Sequence, residues 1–498
     1  MILFQKKKLK IWKLFPAVKA FRFRNKFIVV VLRVLLGIMK FFYGKKRAVP
    51  PLFFHDDPLR FTFSDVIYFA YKYYLQPPVL DDTGGATIEF FRAHPPDFSD
   101  TRIIYSDLLE KKTVTVTTAG DIMPYEWIQK KYCTHLWDDI ADDFFSSDIV
   151  FANLETPIDL SKPPSLVPEI MLNDMLFNAD EEMFSVVQQS AVSLQNTIPK
   201  SETRNSKFIN TTPEKKFDVL STANNHALDM GEAGISATIR FLKEKNIFPT
   251  GTASNAEEKY DFPVIDFDGV RVAFIAFTYS MNKFRNPEGK DWLVNHVEVN
   301  QPDTDISLIT ELVRYAREKR SADFVILGLH FSNAYQVYPG AHILENVKKI
   351  FLHSGPDAIL GNHAHHIQPS ARFDFVCPYT QKQKAGFVNF ACGDFIAYDI
   401  FNWGHLTQYL KLHITKGLKS DNSTITFLEN VEFKPVYICG NYKNKNNRDL
   451  RLLDAVKLDE NIQNKNIPEF LTPYHLKEFK ALKTFYETYF MNFGDKLS

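Results

Sequence analysis

An α/β fold with mixed sheets is the architecture this sequence predicts, on three observations. From residue 113 onward, short β-rich runs alternate with amphipathic stretches, the pattern of a chain that layers helices on a sheet. The intervening stretches place apolar residues three and four apart, as a helix packed along one face requires. Asp268-Gly269 joins two β-rich runs, a hairpin signal that makes at least one strand pairing antiparallel.

Taken in order, residues 1–50 are basic and apolar, and 51–112 form a lead-in rich in Pro, aromatics and Asp without a sustained period. The lead-in is expected to be irregular or partly helical. Strands are predicted at 113–118, 149–152, 217–221, 271–278, 324–329, 358–360 and 387–391, with helices at 232–245, 305–319 and 341–353. Residues 159–216 are polar and poorly periodic, too long for an ordinary connection, and read as an inserted surface excursion. An Asn/Lys-rich stretch at 441–447 precedes a helix-like pattern at 474–490. The expected organisation is therefore a main domain over 113–440 carrying the insertion 159–216, with a helical extension over 441–498.

With 498 residues the chain has ample material for a core. Its 59 basic and 59 acidic side chains balance, but the first 47 residues hold fourteen basic side chains and no acidic one, so the rest is acidic by the same margin. Within this arm, 27–43 is apolar except for Arg33, Gly37 and Lys40. That is too short and too charged for a membrane span, which needs about 20 mostly apolar residues. Lys26, Arg33 and Lys40 recur every seventh position, so a helix there carries a narrow basic stripe on a broad apolar surface. This N-terminal basic amphipathic helix is expected to lie in an anionic membrane surface and to make the protein membrane-associated, with the side of the membrane left open. Packing of the helix on the body of a cytoplasmic protein is the alternative. Nucleic acid is not an expected partner, because the arm is dominated by Phe, Leu, Ile and Val, and no nucleic-acid fold is visible. A cleaved signal peptide is disfavoured by the lack of a small-residue cleavage site. Cys133, Cys377, Cys392 and Cys439 show neither paired spacing nor a CxxC, so no disulfide framework or cysteine zinc site is indicated.

The chemistry-bearing residues fall at strand ends. Asp121, Glu155, Asn225-His226, His330 and His363-Ala364-His365 each sit just beyond the carboxyl end of a predicted strand, the edge where α/β sheets bind ligands. Each cluster alone has an ordinary explanation. Gly120-Asp121 can make a turn, Asn153-Leu154-Glu155 can cap a helix, and Asp229 can serve as the N-cap after a tight Asn224-Asn225-His226 loop. Five coincidences at one edge are harder to attribute to turns, and two imidazoles at i and i+2 can converge on a cation. Mixed carboxylate, amide and imidazole donors suit a divalent transition metal (Mn, Zn or Fe) better than Ca or Mg.

The motifs AGDIM (119–123), DIVFANLE (148–155), ANNHALDMG (223–231), LHF (329–331), GNHAH (361–365) and ACGDF (391–395) resemble, in order and spacing, the CapA family of capsule (poly-γ-glutamate) synthesis proteins. The likeness runs from about residue 113 to 438 and is densest in VLSTANNHALDMGEAGISATIRFLKEKNIFPTG (219–251). It implies the calcineurin-like metallophosphoesterase superfamily, hence a metallophosphoesterase-like β-sandwich flanked by helices with metal at the strand ends. Carried across, it implies Asp121, Glu155, Asn225, His330, His363 and His365 as ligands of one or two ions. It further implies His226 as the residue that orients or protonates a leaving group, with Asp229 placed to orient His226. The activity implied is metal-dependent hydrolysis on an anionic polymer or phosphoester substrate. The alternative is a non-catalytic, membrane-bound component of a surface-polymer synthesis or export complex, with polymer-synthase subunits as partners.

Two departures qualify the likeness. Dinuclear phosphoesterases begin Asp-x-His, and this chain has Met123 at the histidine position. Family members often read His-Trp-Gly-x-Glu-Tyr where this chain runs from His330 to Tyr335, so a family glutamate has become Ala334.

Overall fold

Two sheets packed face to face occupy the centre of the chain, as the alternating pattern predicts. The computed structural model describes residues 34, 37, 56–75, 85–165, 176–188, 216–399, 402–440 and 448–490. The lead-in forms α1 (Phe63–Leu75), α2 (Ala86–Ala93) and α3 (Ser99–Ile104). There follow β1 (Glu110–Ile122), α4 (Ala141–Phe144), β2 (Ile149–Leu154), α5 (Glu181–Gln188), β3 (Val219–Ser221), α6 (Gly231–Glu244), β4 (Phe248–Thr250), β5 (Val264–Phe267) and β6 (Val270–Thr278). Then come α7 (Ser307–Glu318), β7 (Phe324–His330), α8 (Ala341–Ser354), β8 (Ala358–Asn362), β9 (Ile367–Val376), β10 (Gln383–Cys392) and β11 (Asp394–Ile396). The described chain closes with β12 (Leu406–Leu418), β13 (Thr424–Cys439), β14 (Arg451–Asp454), α9 (Ala455–Gln463) and α10 (Pro473–Tyr489).

The first sheet is eight-stranded in the order β14-β13-β12-β1-β2-β3-β4, with β11 paired to the end of β1; the second is six-stranded, β5-β6-β7-β8-β10-β9. β1 to β4 run parallel while β12, β13 and β14 run antiparallel. In the second sheet β6, β7, β8 and β10 are parallel, and β5 and β9 are antiparallel edges. Both sheets are therefore mixed. Asp268 and Gly269, at φ 50° and 83°, turn β5 into β6 with the two positive-φ positions that match strand twist.

Three layers of packing hold this arrangement. Between the sheets, Val116, Ile149, Phe151 and Val219 meet Val272, Phe274, Ile326 and Leu360. On the outer face of the first sheet, Phe144, Val187 and Leu242 from α4, α5 and α6 share a cluster with Ala152 and Leu220. On that of the second, Leu312, Val313, Ile343 and Ile350 from α7 and α8 cover Ile275, Leu327 and Val388. Strands buried on both faces read as nearly unbroken apolar runs, and each fully buried Val, Leu, Ile or Phe side chain contributes about 1.5–3 kcal/mol.

The lead-in is built into these layers. Tyr73 packs in the cluster outside the first sheet, Phe91 in that outside the second, and Phe98 between the sheets. After residue 447 the chain adds β14 to the first sheet's edge, beyond the helix expected there, and α9 and α10 pack on β12 and β13 through Leu458, Phe479, Leu482 and Tyr486. All four cysteines are buried and free. The amphipathic helix expected in the N-terminal arm lies outside the described residues, apart from positions 34 and 37, as do 166–175 and 189–215 of the expected insertion. Among the described residues, no helix is long and apolar enough to cross a membrane.

Candidate metal centre

The parallel strands of both sheets send their carboxyl ends to one edge, and the polar clusters meet there. Asp121 is at the end of β1, where β1 lies so close to β11 that a Cβ on Gly120 would sit 1.7 Å from the Gly393 carbonyl oxygen. That approach sets Asp121 opposite Asp394 in register. Asp121 accepts hydrogen bonds from Asn153 Nδ2 at 2.7 Å and from the His363 backbone N–H at 3.0 Å. Glu155 follows β2 directly, anchored by its own N–H on the Ile122 carbonyl at 3.0 Å. Its side chain is fully buried, and neither carboxylate oxygen receives a hydrogen bond.

The imidazoles surround this carboxylate. His330 ends β7, with Nε2 3.5 Å from Glu155 Oε1 and 3.1 Å from Asn225 Oδ1, while Nδ1 meets Asn153 Nδ2 at 3.2 Å. His226 presents Nε2 to Glu155 Oε1 at 4.0 Å. Its ring stacks on Phe177 at 3.7 Å, and its Nδ1 meets Asp229 Oδ2 at 2.6 Å. The same Asp229 oxygen accepts the Phe177 N–H, also at 2.6 Å, so one carboxylate holds both the ring and its stacking partner.

His363 and His365 come from the loop after β8. Gly361 is required there, since a Cβ would lie 2.0 Å from the Phe390 carbonyl oxygen. His363 and His365 themselves take φ of 93° and 54°, a backbone conformation that costs on the order of 1–3 kcal/mol and tends to occur at ligand clamps. His365 Nδ1 pairs with Asp394 Oδ1 at 2.8 Å, and its ring stacks on Tyr335.

Burial governs the electrostatics. It pushes the Asp121 carboxyl up to about 6, with Asp394 adding to the rise and His365 opposing it. It pushes Glu155 well above the carboxylate range, helped by the neighbouring charges of Asp121 and Asp394. Burial depresses His330 far below the ordinary imidazole value, and the adjacent histidines add to the effect. His365 goes the other way: burial would lower it, but its ion pair with Asp394 lifts it to about 9.

Three overlapping sets could each hold a cation, with ligand atoms mutually within 4.8 Å: Asp121, His365 and Asp394; Asp121, Glu155 and His330; and Glu155, His363 and His365. Both Glu155 oxygens, His226 Nε2 and His363 Nδ1 are buried without a hydrogen-bond partner. Leaving such groups unsatisfied costs about 1–3 kcal/mol each. A divalent cation held by the set of Glu155, His363 and His365 satisfies Glu155 and His363 at once, so the residues fit the group.

All eight residues singled out from the sequence converge: Asp121, Glu155, Asn225, His226, Asp229, His330, His363 and His365. Asn225 touches the centre through its contact with His330. Met123, at the position of the expected phosphoesterase histidine, is buried in the helix-side core instead. Asp394, Asn153, Tyr279 and Asp56 also belong to the site and were not singled out, although Asp394 and Asn153 lie inside quoted motifs. Ala334, where the family carries a glutamate, donates its backbone N–H to the Asp56 carboxylate.

Residues 202–399 match the family model of the bacterial capsule synthesis protein PGA_cap. This stretch is similar to that family. Its boundaries take in Asn225, His226, Asp229, His330, His363, His365 and Asp394, leaving Asp121 and Glu155 upstream. The chain is 24% identical over 297 residues to the capsule biosynthesis protein CapA of Bacillus anthracis, covering 58% of this chain and 60% of that one. It is 23% identical over 272 residues to the PGA biosynthesis protein CapA of Bacillus subtilis (strain 168), covering 53% and 60%. The matched region thus spans less than two thirds of each relative's length. Among solved structures, the calcineurin-like phosphoesterase YfkN from Bacillus subtilis aligns over 75% of this chain and 99% of its own, with a TM-score of 0.35 at 14% identity.

Proposed function

We propose that this chain is a metal-dependent hydrolase of the metallophosphoesterase type that serves the synthesis or release of a capsule polymer of the poly-γ-glutamate class. The observation that carries this reading is the convergence of unpartnered buried lone pairs on Glu155, His226 and His363 at one sheet edge. Asp121, Glu155, Asn225, His330, His363 and His365, joined by Asp394, hold one or two divalent transition ions, for which this mixed donor set is suited. A cation bound there supplies Lewis acidity toward a phosphoryl or acyl oxygen and lowers the pKa of a bound water toward ~7. His226 carries the proton: Asp229 holds Nδ1, Phe177 fixes the ring plane, and Nε2 is left as the atom that gives or takes hydrogen. The polymer is drawn from the names of the two CapA relatives.

The test measures metal and turnover separately. Protein purified without chelator is expected to retain one or two transition ions per chain, and His363→Ala with His365→Ala to retain none. His226→Ala is expected to keep the metal while losing about 10²- to 10⁴-fold in hydrolysis of phosphodiester, phosphomonoester or γ-glutamyl substrates supplied with Mn or Zn. Absence of metal from the native protein overturns the centre. A metal-loaded protein inactive on all three substrate classes replaces the hydrolase with a scaffold that binds an anionic chain.

A further inference from the structure

We infer that Asp56, more than sixty residues upstream of the first motif, is a positioning residue of this centre: together with Tyr279 it sets the tautomer of His363 and aims its Nδ1 at the cation. The inference rests on the metal-centre reading above.

The argument follows one proton. A tyrosine hydroxyl has a single hydrogen to donate, and that of Tyr279 goes to the Asp56 backbone carbonyl oxygen. The same hydroxyl lies 2.9 Å from His363 Nε2. Having no second hydrogen, it can only accept there, so Nε2 carries the proton. The Asp56 carboxylate stands 3.5 Å from the same nitrogen, and its charge favours hydrogen at that position. A neutral imidazole protonated on Nε2 keeps its lone pair on Nδ1. Nδ1 of His363 is the ring nitrogen that is buried without a hydrogen-bond partner, and His363 belongs to the set it forms with Glu155 and His365.

Asp56 is held firmly enough to do this. It is 3% exposed and accepts the Ala334 backbone N–H. The buried Lys72 of α1 bonds the Ala334 carbonyl at 2.6 Å and Gln336 Oε1 at 3.1 Å, and Asp57 accepts from the Ser280 hydroxyl at 3.1 Å. The lead-in is thus fastened to the loops after β6 and β7. A carboxylate behind a ligating histidine fixes ring orientation and raises ligand basicity, and losing such a partner typically costs about 10- to 100-fold in metal affinity.

The test uses the full chain, stripped with chelator and titrated with Co(II), whose visible absorption reports coordination geometry. The dissociation constant is obtained by competition with a chromophoric chelator. Asp56→Asn is expected to bind about 10- to 100-fold more weakly with an altered Co(II) spectrum, Asp56→Glu to recover part of both, and the metal-free melting temperature of each to match wild type. Should Asp56→Asn fail to fold, Tyr279→Phe is read by the same two measurements and is expected to weaken binding likewise. Wild-type affinity and spectrum in the folded variant overturn the inference, as does a loss that Asp56→Glu leaves undiminished. A wild-type chain that takes up no Co(II) instead overturns the metal centre itself, a different pattern from a loading wild type with an unaffected variant.

Discussion

Strand β8 has a buried charge cluster at each end, and the two are built on opposite principles. At the amino end, Asp357 is 1% exposed and is met by Arg317, Lys384 and the Val325 N–H. Burial alone would raise its carboxyl, but the two cations hold it below the usual range. At the carboxyl end, the ion-pair partners of Glu155 and Asp394 are imidazoles, and burial pushes Asp121 and Glu155 up. One cluster is closed by the chain's own cations. At the other, His365 pairs with Asp394, but Glu155, His226 and His363 keep lone pairs unsatisfied and call for a cation from solution. Burial of polar groups is common to both ends, so burial alone does not mark a binding site. What separates them is whether the opposing charge is already covalently present.

The largest effect expected from this contrast is at the amino end. Asp357→Ala leaves the half-buried Arg317 and Lys384 without their carboxylate, and removing one partner of such a cluster costs up to about 3–5 kcal/mol. Urea denaturation is expected to show that loss equally with and without chelator. A loss below about 1 kcal/mol, the range of a surface pair, would mean that the cluster is solvated and the contrast mistaken.

The carboxyl end is expected to respond with a different pattern. Because burial and the neighbouring carboxylates push the Glu155 carboxyl well above its ordinary range, favouring its neutral form, Glu155→Gln keeps the shape of the group with little change in the charge it buries. The chelated variant is therefore expected to be as stable as the chelated wild type, or slightly more so. What it loses is the ligand-linked increment, about 2.7 kcal/mol when free metal stands at 100 times its dissociation constant. Thermal melts with chelator and with added Mn or Zn measure the two terms. A chelated Glu155→Gln that melts well below chelated wild type would break the comparison, since Glu155 would then be stabilising the fold as Asp357 does.

The same contrast explains how far the sequence could be read. Strands buried on both faces leave unbroken apolar runs, and Asp268-Gly269 leaves a turn signal, so the core and the hairpin were legible. The strand-end clusters were legible too, because parallel topology sends Asp121, Glu155, His330 and His363 to one edge whichever neighbours they acquire. Asp394 was harder to single out, as it opens a strand of only three residues. Asn153, on β2, looked like a helix cap because its partner Asp121 is 32 residues away. Asp56 left no trace: it meets Ala334 across 278 residues, and neither periodicity nor spacing encodes a contact of that length in an aperiodic lead-in. β14, four residues long, is too short to show a period. Residues whose position follows from topology could be read, and those fixed by a single tertiary contact could not.

The last expected effect is on pH dependence, and it tests whether protons occupy the carboxyl end when metal does not. Glu155 stands well above its ordinary value and His365 rises to about 9, so a cation displaces protons from these groups, whereas Asp121, at about 6, adds to the release only at the acid end of the range. Metal affinity is therefore expected to strengthen as pH rises from 6 to 9, by up to about tenfold per unit for each proton released. Chelator competition across that range measures the slope, and Glu155→Gln, which has one proton fewer to lose, is expected to flatten it. Stability of the chelated protein runs in the opposite direction. The folded value of His365 lies above its unfolded one, so the stability from its pair with Asp394 is fully present below about 6.5 and is lost as pH climbs toward 9. The slope is at most about 1.4 kcal/mol per pH unit for one proton. The chelated chain is thus expected to melt lower at pH 9 than at pH 6.5, and the loaded chain to lose less over the same interval. Affinity that stays flat from pH 6 to 9 would show that the ligands are already deprotonated in the metal-free protein, and the carboxyl end of β8 would then not be the proton-filled counterpart of its amino end.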